Sequence, residues 1–461
     1  MPPNILFLFP DQHRGDWLGF RGAPGVRTPN LDSLAARGVA FTNALTPSPL
    51  CSPARACLAS GRRYDAQPVR HNQDDYPDVG GPPTVYQALR GAGYQVLGCG
   101  KFDLLKMSQD WGENGQHGAG DNSRMRTLGF SGGIDSAGKH DFVTAHHQDK
   151  AEPYQQFLRQ RGLLEIHLED FLSRASKGDA CYLNTEPTPL PDDAYCDNWI
   201  AENGLTLLRS VPDNSPWFLQ VNFDGPHEPV DITAAMLERR RHAEPAMAPI
   251  HNTQYPLVKH LEIRRNYSAM VENIDTQIGR FLQFLEDTGQ IDNTIIVYAS
   301  DHGDMLGDHN KWHKSMPEHG ALSVPLIFAG PGIQSRSAVD QPVDLVDVSS
   351  TFLDLTSIAP LAAMHGQPLT PLLTGDALDI PFRTAGLGMW RALFDGRYKY
   401  IHNYHPNTRL RDIVPTRWHR DPDAPATLYD LCEDPGETTN LVRVQPERVR
   451  QMREALLASI D

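Results

Sequence analysis

Short, nearly continuous apolar runs recur along the chain, and helical patterns fall between them. Runs of this kind, without polar alternation, are typical of parallel strands that are buried on both faces. Because strands alternate with helices, the pattern predicts an α/β fold with a large mixed, mostly parallel sheet sandwiched by helices. The runs are NILFLF (4–9), YQVLGC (94–99), WFLQVNF (217–223), TIIVYA (294–299) and VPLIFAG (324–330).

Two of the predicted helices have clear boundaries. The stretch TPNLDSLAARG begins with Thr28 in a cap-like position and ends at Gly38, which predicts a helix between them. The stretch NYSAMVENIDTQIGRFLQFLEDTG stops at Gly289, a residue that commonly ends helices. Its apolar side chains recur at helical spacing and predict one buried face, formed by Met270, Ile274, Ile278, Phe281 and Leu285.

The composition changes twice along the chain and indicates its domain organisation. The stretch 107–193 is rich in Gly, Asp, His and Asn and then in Pro, so we expect an insertion over the sheet with one helix near PYQQFLRQRG. Further on, RALFDGRYKYIHNY predicts an antiparallel hairpin that turns at Asp395 and Gly396, and PERVRQMREALLAS predicts a closing helix. We therefore expect a large domain over 1–380, which includes the insertion. A smaller C-terminal α+β subdomain over 381–461 is expected to contain an antiparallel sheet.

The overall composition is that of an acidic globular protein. The 461 residues are 40% hydrophobic and carry a formal net charge of −15. No basic cluster with interleaved aromatic residues is present, so we expect no nucleic-acid partner. No apolar run approaches the ~20 residues of a membrane span. No signal peptide precedes the run that begins at Asn4, which predicts a cytoplasmic protein, or a periplasmic or secreted one if an export signal has been removed.

Polar side chains follow four of the predicted strands. In open α/β sheets, ligands bind beyond the carboxyl ends of the strands, so these side chains are expected to converge. Any one of them has an ordinary explanation, because loops after buried strands are exposed to water. Together they predict a site for a metal ion and an anion. The residues are Asp11, Gln12, His13 and Arg14, then Lys101 and Asp103, then Asp224 and His227, and finally Asp301, His302 and Asp304.

Four of these residues, Asp11, Gln12, Asp301 and His302, would supply mainly oxygen ligands and one imidazole. That set suits one hard divalent ion, Ca²⁺ first, with Mg²⁺ or Mn²⁺ as the alternatives. A zinc pair at His309 and His313 is the competing hypothesis. The glutamate of an H-E-x-x-H motif does not lie between them, so we do not favour zinc.

Cys51 is the residue in greatest need of an explanation. The six cysteines are scattered and none falls in a C-x-x-C pattern, so neither a zinc thiolate site nor a disulfide framework is expected. Pro53 suits an early helical position, which places Cys51 at a helix N-terminus where negative charge is favoured. Arg55 lies one turn further on the same face. These residues alone leave two interpretations open: a nucleophile beside a guanidinium, or a buried thiol.

Several segments together resemble the sulfatase family, in the order in which that family carries them and over nearly the whole chain. CSPAR followed by ACLASGR is similar to the family signature C-x-P-x-R, whose cysteine is converted to formylglycine after translation. The other similar segments are PNILFLFPDQHRGDWLG, TPNLDSLAARGVAFTNALTPSPLC, ALRGAGYQVLGCGK, DGPHEP, NTIIVYASDHGDMLGDHNKWHKS with VPLIFAGPG, and LYDLCEDPGETTNL.

The resemblance implies an alkaline-phosphatase-like fold and hydrolysis of a sulfate monoester, from a sulfated carbohydrate or a small organic sulfate. It implies one divalent metal ion bound by Asp11, Gln12, Asp301, His302 and residue 51 itself. Cys51, as formylglycine, would attack sulfur after modification by a formylglycine-generating maturation enzyme. The resemblance assigns supporting roles as follows: Arg55 orients the hydrated aldehyde, Lys101 and Lys314 bind sulfate oxygens, His227 lies near the leaving group, and Asn72 is a less certain sulfate contact.

One departure from the family pattern affects the last chemical step. Many sulfatases carry a histidine two residues after the strand lysine, and this chain has Asp103 there. The base that assists collapse of the covalent intermediate is therefore open, with Asp103 and His71 as candidates. Two other functions also stay open: a phosphonate monoester or phosphodiester hydrolase on the same scaffold, and a catalytically silent relative that binds glycans. The sequence does not indicate an oligomeric state.

Overall fold

The structure is a computed structural model that describes residues 2–108, 124–174, 178–212, 215–336, 338–404 and 424–460. Its main feature is a seven-stranded sheet with the strand order β2-β8-β7-β1-β6-β4-β5. The strands of this sheet are β1 (Asn4–Leu8), β2 (Val39–Ala40), β4 (Gln95–Gly100), β5 (Gly132–Asp135), β6 (Trp217–Asn222), β7 (Thr294–Ala299) and β8 (Leu326–Ala329). A separate parallel pair consists of β3 (Ala44–Leu45) and β9 (Val343–Asp344).

The centre of the large sheet is parallel, as predicted. Strand β1 pairs in parallel with β6 and β7, and β4 pairs in parallel with β5 and β6. The prediction was wrong for VPLIFAG, because β8 runs antiparallel to β7 and β2 runs antiparallel to β8. An apolar run shows that a strand is buried but carries no information on its direction. The fold class, a mixed and mostly parallel sheet between helices, is confirmed.

Helices cover both faces of this sheet. They are α1 (Pro29–Arg37), α2 (Cys51–Ser60), α3 (Val85–Gly91), α4 (Arg124–Thr127), α5 (Gly138–His147), α6 (Pro153–Gln160), α7 (Leu164–Arg174), α8 (Cys196–Arg209), α9 (Ala234–Arg239), α10 (Leu257–Asp287), α11 (His319–Leu322), α12 (Leu345–Leu355), α13 (Thr370–Thr374) and α14 (Pro446–Ser459). Among the described residues no helix is both long and apolar enough to cross a bilayer.

The alternating side chains of β1 show how the two layers of helices are held. Ile5 and Phe7 pack in one apolar cluster with residues of α2, α3 and α12. Leu6 and Leu8 pack in the other with residues of α1, α8 and α10. Because successive side chains of a strand point to opposite faces, each face of β1 anchors its own layer. The predicted buried face of the long helix is confirmed, since its five apolar residues are inaccessible to solvent: Met270, Ile274, Ile278, Phe281 and Leu285.

The stretch predicted as an insertion with one helix is more ordered than expected. It supplies the edge strand β5 and the helices α4, α5, α6 and α7, so the prediction of a single helix was wrong. Strand β5 was not predicted because its sequence, GGID, contains only one apolar side chain. All four of its residues are only partly buried. Residues 109–123 of the stretch lie outside the described part of the chain.

The C-terminal region forms a four-stranded antiparallel sheet, as predicted. Its strands are β10 (Arg383–Leu387), β11 (Trp390–Phe394), β12 (Tyr398–His402) and β13 (Ala426–Asp430). The turn between β11 and β12 contains Asp395 and Gly396, and the positive φ of 96° at Gly396 explains the glycine. Helix α14 packs on one face of this sheet, and the other face contacts α2 through an apolar cluster with Cys57 and Leu50. The domain boundary at residue 380 stays a prediction.

Candidate functional site

The predicted site residues come from strands that are neighbours in the sheet. Strands β7, β1, β6 and β4 lie side by side, and their carboxyl ends are followed by Asp301, Asp11, Asp224 and Lys101 in that order. Each of these four side chains is at most 3% exposed. The convergence expected from the sequence is therefore present, and it lies beneath the protein surface.

Four side chains form a tight group that could hold a metal ion. One ligand atom from each of Asp11, Cys51, Asp301 and His302 lies within 4.8 Å of every other. The Sγ atom of Cys51 is 3.3 Å from Nε2 of His302 and 3.8 Å from Oδ1 of Asp11. Two carboxylates and an imidazole in a buried pocket are a donor set that fits a divalent cation.

His302 is oriented as a metal ligand requires. Its Nδ1 lies 3.0 Å from the carbonyl oxygen of Gly303, and because a carbonyl only accepts, Nδ1 carries the proton. The lone pair of Nε2 therefore faces the group formed with Asp11 and Asp301. Burial lowers the pKa of His302 below its usual value, so the imidazole is neutral and able to bind a metal ion.

Gln12 is held beside this group by a dense network. Its backbone has a positive φ of 70°, which is uncommon for a residue other than glycine, and its N–H donates to Oδ1 of Asp301 at 3.0 Å. Its Nε2 donates to Oε2 of Glu228 at 2.7 Å and to Oδ2 of Asp304 at 2.6 Å. These bonds direct Oε1 toward Lys314, whose Nζ donates to it at 2.6 Å. The predicted ligand oxygen is thus next to the group, with an ammonium bound to it.

Cys51 is the first residue of α2, as the sequence predicts. The backbone N–H of Ser52 donates to Oδ1 of Asn72 at 3.0 Å, so Asn72 lies beside Cys51 and its amide oxygen accepts a hydrogen bond from the helix. Burial, reinforced by Asp11, raises the pKa of the Cys51 thiol to about 12. Burial therefore outweighs the favourable effect of the helix N-terminus on a thiolate. The unmodified thiol stays protonated and weakly nucleophilic.

Arg55 binds the carboxylates of the group. Its Nε donates to Oδ2 of Asp301 at 2.9 Å and its Nη2 lies 3.3 Å from Oδ2 of Asp11. Its Nη1 donates to the backbone carbonyl of Lys101. Burial opposes the charge, but Asp301 and Asp11 raise the pKa of Arg55 above its usual value. Arg55 therefore joins the ends of β1, β4 and β7 electrostatically, a function that the motif alone did not reveal.

Two lysines bring further positive charge to Cys51. The Nζ atom of Lys101 is 2.6 Å from Oδ2 of Asp11 and 3.9 Å from Sγ of Cys51. The Nζ atom of Lys314 is 3.9 Å from Oδ1 of Asp11 and 2.6 Å from Nε2 of His227. The predicted lysines and histidine thus lie around the same group of side chains, and both ammonium groups are close to Asp11.

Asp103 occupies the position where the family pattern carries a histidine. Its carboxylate lies 3.0 Å from Nζ of Lys106 and 3.7 Å from Nζ of Lys101. Burial favours the neutral acid, but Lys106 and Lys101 hold the pKa of Asp103 below its usual value. His71, the other candidate base, has two buried ring nitrogens that lack a hydrogen-bond partner among the described residues.

The structure adds residues that the sequence did not single out. Glu228 accepts from Gln12 and from Nδ1 of His313, the latter at 2.8 Å. Tyr182 donates to Asp304 at 2.7 Å, and Lys106 pairs with Asp103. Glu228 directly follows His227 in DGPHEP and could have been found there. Tyr182 had no local signal because it reaches the site only through the tertiary fold.

Comparison with known proteins identifies the family of this chain. The family described as sulfatase matches residues 3–358, and the family described as N-sulphoglucosamine sulphohydrolase, C-terminal, matches residues 307–460. An arylsulfatase of Clostridium perfringens is 26% identical, covering 100% of this chain and 95% of its own. An N-acetylglucosamine-6-O-sulfatase of Bacteroides thetaiotaomicron is 26% identical, covering 95% of this chain and 82% of its own.

The fold is also found in solved structures. The phosphonate monoester hydrolase of Agrobacterium radiobacter superposes with a TM-score of 0.77 at 23% identity, covering 99% of this chain and 95% of its own. The likeness at this level of identity establishes the architecture. The resemblance read from the motifs is confirmed by the family match over most of the chain. The chain therefore belongs to the sulfatase family and is a sulfuric ester hydrolase.

Proposed function

We propose that this protein hydrolyses a sulfate monoester through a formylglycine formed from Cys51 and one divalent metal ion. The observation that carries the proposal is the buried group of Asp11, Cys51, Asp301 and His302, whose ligand atoms lie within 4.8 Å of one another. Lysines at 101 and 314 place ammonium groups close to Asp11 of the same group. This is the pattern expected of a site that binds a metal ion and an anionic ester together.

The residues fit a hard divalent cation. Asp11, Asp301 and Nε2 of His302 would hold it, with Oε1 of Gln12 as a further oxygen donor. The oxygen-rich set favours Ca²⁺, with Mg²⁺ or Mn²⁺ as alternatives. When bound, such an ion would lower the pKa of a hydroxyl on residue 51 and offset the charge of the sulfate oxygens.

Without a bound metal ion, burial and Asp11 raise the pKa of the Cys51 thiol to about 12, so the free thiol would be a weak nucleophile there. A hydrated aldehyde at this position supplies two hydroxyls, one to displace the alcohol from sulfur and one whose deprotonation releases sulfate. Cys51 is 1% exposed, so a maturation enzyme would have to reach it before this part of the chain has folded. Such an enzyme is accordingly part of the proposal as a partner.

The cationic side chains bind and orient the ester in this proposal. Lys101, Lys314 and Arg55 would stabilise negative charge on the sulfate oxygens in a pocket from which water is largely excluded. Lys314 and His227, joined at 2.6 Å, lie where the alcohol would depart and would supply its proton. Asn72 retains its Nδ2 as a donor for a sulfate oxygen. Asp103 and His71 are the candidate bases for the last step.

Mass spectrometry of the Cys51 peptide tests the proposal directly. Cleavage after arginine releases residues 38–55, which contain Cys51, separately from residues 56–62, which contain Cys57. In protein from its own host, or made with a maturation enzyme, we expect an aldehyde or its hydrate in the first peptide and an intact thiol in the second. An intact thiol at position 51, with a control sulfatase modified in the same cells, would contradict the proposal.

A phosphonate monoester or phosphodiester hydrolase is the second candidate. The structural likeness to a phosphonate monoester hydrolase, with a TM-score of 0.77, favours it, because the same metal and cation arrangement can stabilise attack at phosphorus. Rates on 4-nitrophenyl sulfate and on 4-nitrophenyl phenylphosphonate separate the two functions. We expect the higher kcat/KM on the sulfate ester. A higher value on the phosphonate would reverse the assignment.

A silent relative that binds anionic glycans is the remaining alternative. The proximity of Cys51, Arg55, Lys101, His227 and Lys314 weighs against it, since a binding protein does not require a nucleophile with a metal-ligating group beside it. An unmodified Cys51 in protein from its own host, together with binding of a sulfated glycan without turnover, would favour it.

We also propose that the stretch 1–380 is the catalytic domain and 381–461 the C-terminal subdomain.

A further inference from the structure

Most of the side chains in the candidate site are deeply buried, but two imidazoles beside it reach solvent. The side chain of His140 is 43% exposed and that of His313 is 25% exposed. Those of His227 and Lys314 are 8% and 6% exposed. His140 and His313 therefore mark the solvent side of the pocket, next to the pair at which the alcohol would depart.

His140 is held in this position by its own helix. Its neighbour Lys139 is buried, and the Lys139 Nζ donates to the carbonyl oxygens of His227 at 3.0 Å and of Pro229 at 3.1 Å. The same ammonium pairs with Asp231 at 2.6 Å. These bonds fasten α5 to residues 227–231. The His140 ring consequently lies 5.5 Å from the His227 ring, centre to centre, in an edge-on arrangement.

His313 also lies beside Glu228, the residue that follows His227. Its Nδ1 lies 2.8 Å from Oε1 of Glu228, and Nε2 of His140 lies 3.7 Å from that same oxygen. The second oxygen of Glu228 accepts from Gln12 at 2.7 Å. The carboxylate of Glu228 is thus hydrogen-bonded to His313 and to Gln12, the candidate metal ligand, and it lies close to His140.

We infer that His140, positioned by α5, and His313, hydrogen-bonded to Glu228, form a rim that recognises hydroxyl groups on the alcohol portion of the ester, with His140 as a specificity-determining residue. This inference rests on the proposed function. A hydroxyl both donates and accepts, so it can pair with an imidazole in either protonation state. Such a rim favours an alcohol that bears neighbouring hydroxyls over an apolar one, because an apolar group would leave the imidazoles unpaired and desolvated.

A matched set of esters tests the inference. Glucose 6-sulfate, galactose 6-sulfate and N-acetylglucosamine 6-sulfate are compared with (oxan-2-yl)methyl sulfate, which keeps the ring and the primary ester but has no hydroxyl. We expect the wild-type protein to favour at least one sugar ester by about tenfold or more in kcat/KM, the factor expected from one or two hydrogen bonds. 4-Nitrophenyl sulfate serves as the measure of general sulfatase activity.

Substitutions then assign the preference to the rim. His140→Ala is expected to reduce the preference for the sugar ester by about tenfold and to change turnover of 4-nitrophenyl sulfate by less than about threefold. His140→Asn, which keeps a donor and an acceptor, should restore part of the preference. His147→Ala, at an exposed position on the same helix, is the matched control and should leave every rate unchanged.

The outcomes separate this inference from the proposed function. Turnover of 4-nitrophenyl sulfate without any preference for the sugar esters would overturn the inference and leave the proposed function standing. Equal losses on all esters in His140→Ala would also overturn it, because they would show a general structural effect. No turnover of any sulfate ester by protein with formylglycine at position 51 would contradict the proposed function, and the inference with it.

Discussion

The Nζ atom of Lys314 lies 2.6 Å from Nε2 of His227, and Nδ1 of the same imidazole lies 2.8 Å from the carbonyl oxygen of Glu228. Because the carbonyl only accepts, Nδ1 holds the proton and Nε2 accepts from the lysine. Burial, together with Lys314, lowers the pKa of His227 well below its usual value although Glu228 opposes this. At neutral pH the proton that these two side chains share therefore resides on Lys314, and in the proposed mechanism the lysine would pass it to the leaving alcohol.

Replacement of this lysine should slow the release of poor leaving groups. We expect Lys314→Ala to reduce kcat/KM on an alkyl sulfate by about 10²- to 10⁴-fold, the usual contribution of a positioned acid. The loss on 4-nitrophenyl sulfate should be smaller, because nitrophenolate departs without a proton. Rates over a series of leaving groups provide the measurement.

The matched control is Lys311→Ala, since Lys311 pairs with Glu318 rather than with site residues. It should leave the dependence on the leaving group unchanged. Equal losses on the alkyl and aryl esters in Lys314→Ala would show that the lysine only binds the sulfate.

Substitution of Cys51 by serine should stop the cycle after one step. A serine has one hydroxyl, so it can accept sulfate but has no second hydroxyl whose deprotonation expels it. We expect turnover to fall by about a thousandfold or more, with sulfated protein detected by intact mass. Cys57→Ser, on the same helix, should remain active. Turnover close to wild type in Cys51→Ser would refute the nucleophile assignment.

Asp301 is expected to be required for metal binding. It accepts from Arg55 and from the backbone of Gln12 and contributes to the metal-ligating group. Asp301→Asn keeps the shape but removes the charge, so we expect the metal content measured by elemental analysis to fall from about one ion per chain to nearly none. Asp287→Asn, at an exposed position at the end of α10, is the control. Full metal occupancy in Asp301→Asn would rule out the ligand role.

The sequence predicted the central sheet well because each strand is nearly continuous in apolar residues. The predicted run TIIVYA coincides with β7 (Thr294–Ala299). The sequence could not predict the direction of β8, which depends on the path of the connecting chain. It also missed β5, whose two glycines and partial burial give no strand signal. Local pattern therefore recovered the centre of the sheet and failed toward both of its edges.

The candidate site shows the same division. Asp11 and Asp301 were predictable because they directly follow apolar strands, and Cys51 because its motif opens a helix. Tyr182 and His140 reach the site from a stretch whose composition indicated only an insertion. Their contacts with Asp304 and Glu228 join residues far apart in the chain. No local pattern encodes such contacts, so only the folded structure could identify these two residues.

Asp103 is expected to act by holding the lysines rather than as the base of the last step. Lys106 and Lys101 hold its pKa below the usual value, which makes it a weak proton acceptor at neutral pH. In Asp103→Asn we expect a loss of about tenfold in kcat/KM without accumulation of sulfated protein in the steady state. Quenching the reaction and measuring the intact mass detects that species.

His71→Gln provides the comparison for that prediction. The ring nitrogens of His71 are buried and lack a partner among the described residues. Burial lowers the pKa of His71, so its imidazole is neutral and has a lone pair that can accept a proton. Sulfated protein is expected to accumulate in His71→Gln. Accumulation in Asp103→Asn instead would identify Asp103 as the base.

His319 should make the protein less stable in acid. It is the first residue of α11, and its backbone N–H donates to Glu437 at 2.6 Å. Burial, together with Lys399, lowers the pKa of the His319 imidazole from 6.5 to about 3. Because the folded state favours the neutral imidazole, its contribution to stability is complete above pH 6.5 and is lost as the pH falls from 6.5 toward 3. Within that window the free energy of unfolding should fall by up to about 1.4 kcal/mol per pH unit from this group alone.

The measurement is the midpoint of urea unfolding between neutral and mildly acidic pH, in the wild type and in His319→Gln. Glutamine cannot take up a proton, so the variant should show a shallower dependence on pH even if it is less stable at every pH. His147→Gln, at an exposed position, should retain the wild-type dependence. Parallel curves for the wild type and His319→Gln would show that protonation of His319 is not coupled to unfolding, which would mean that the interface between α11 and the C-terminal region opens before the rest of the chain unfolds.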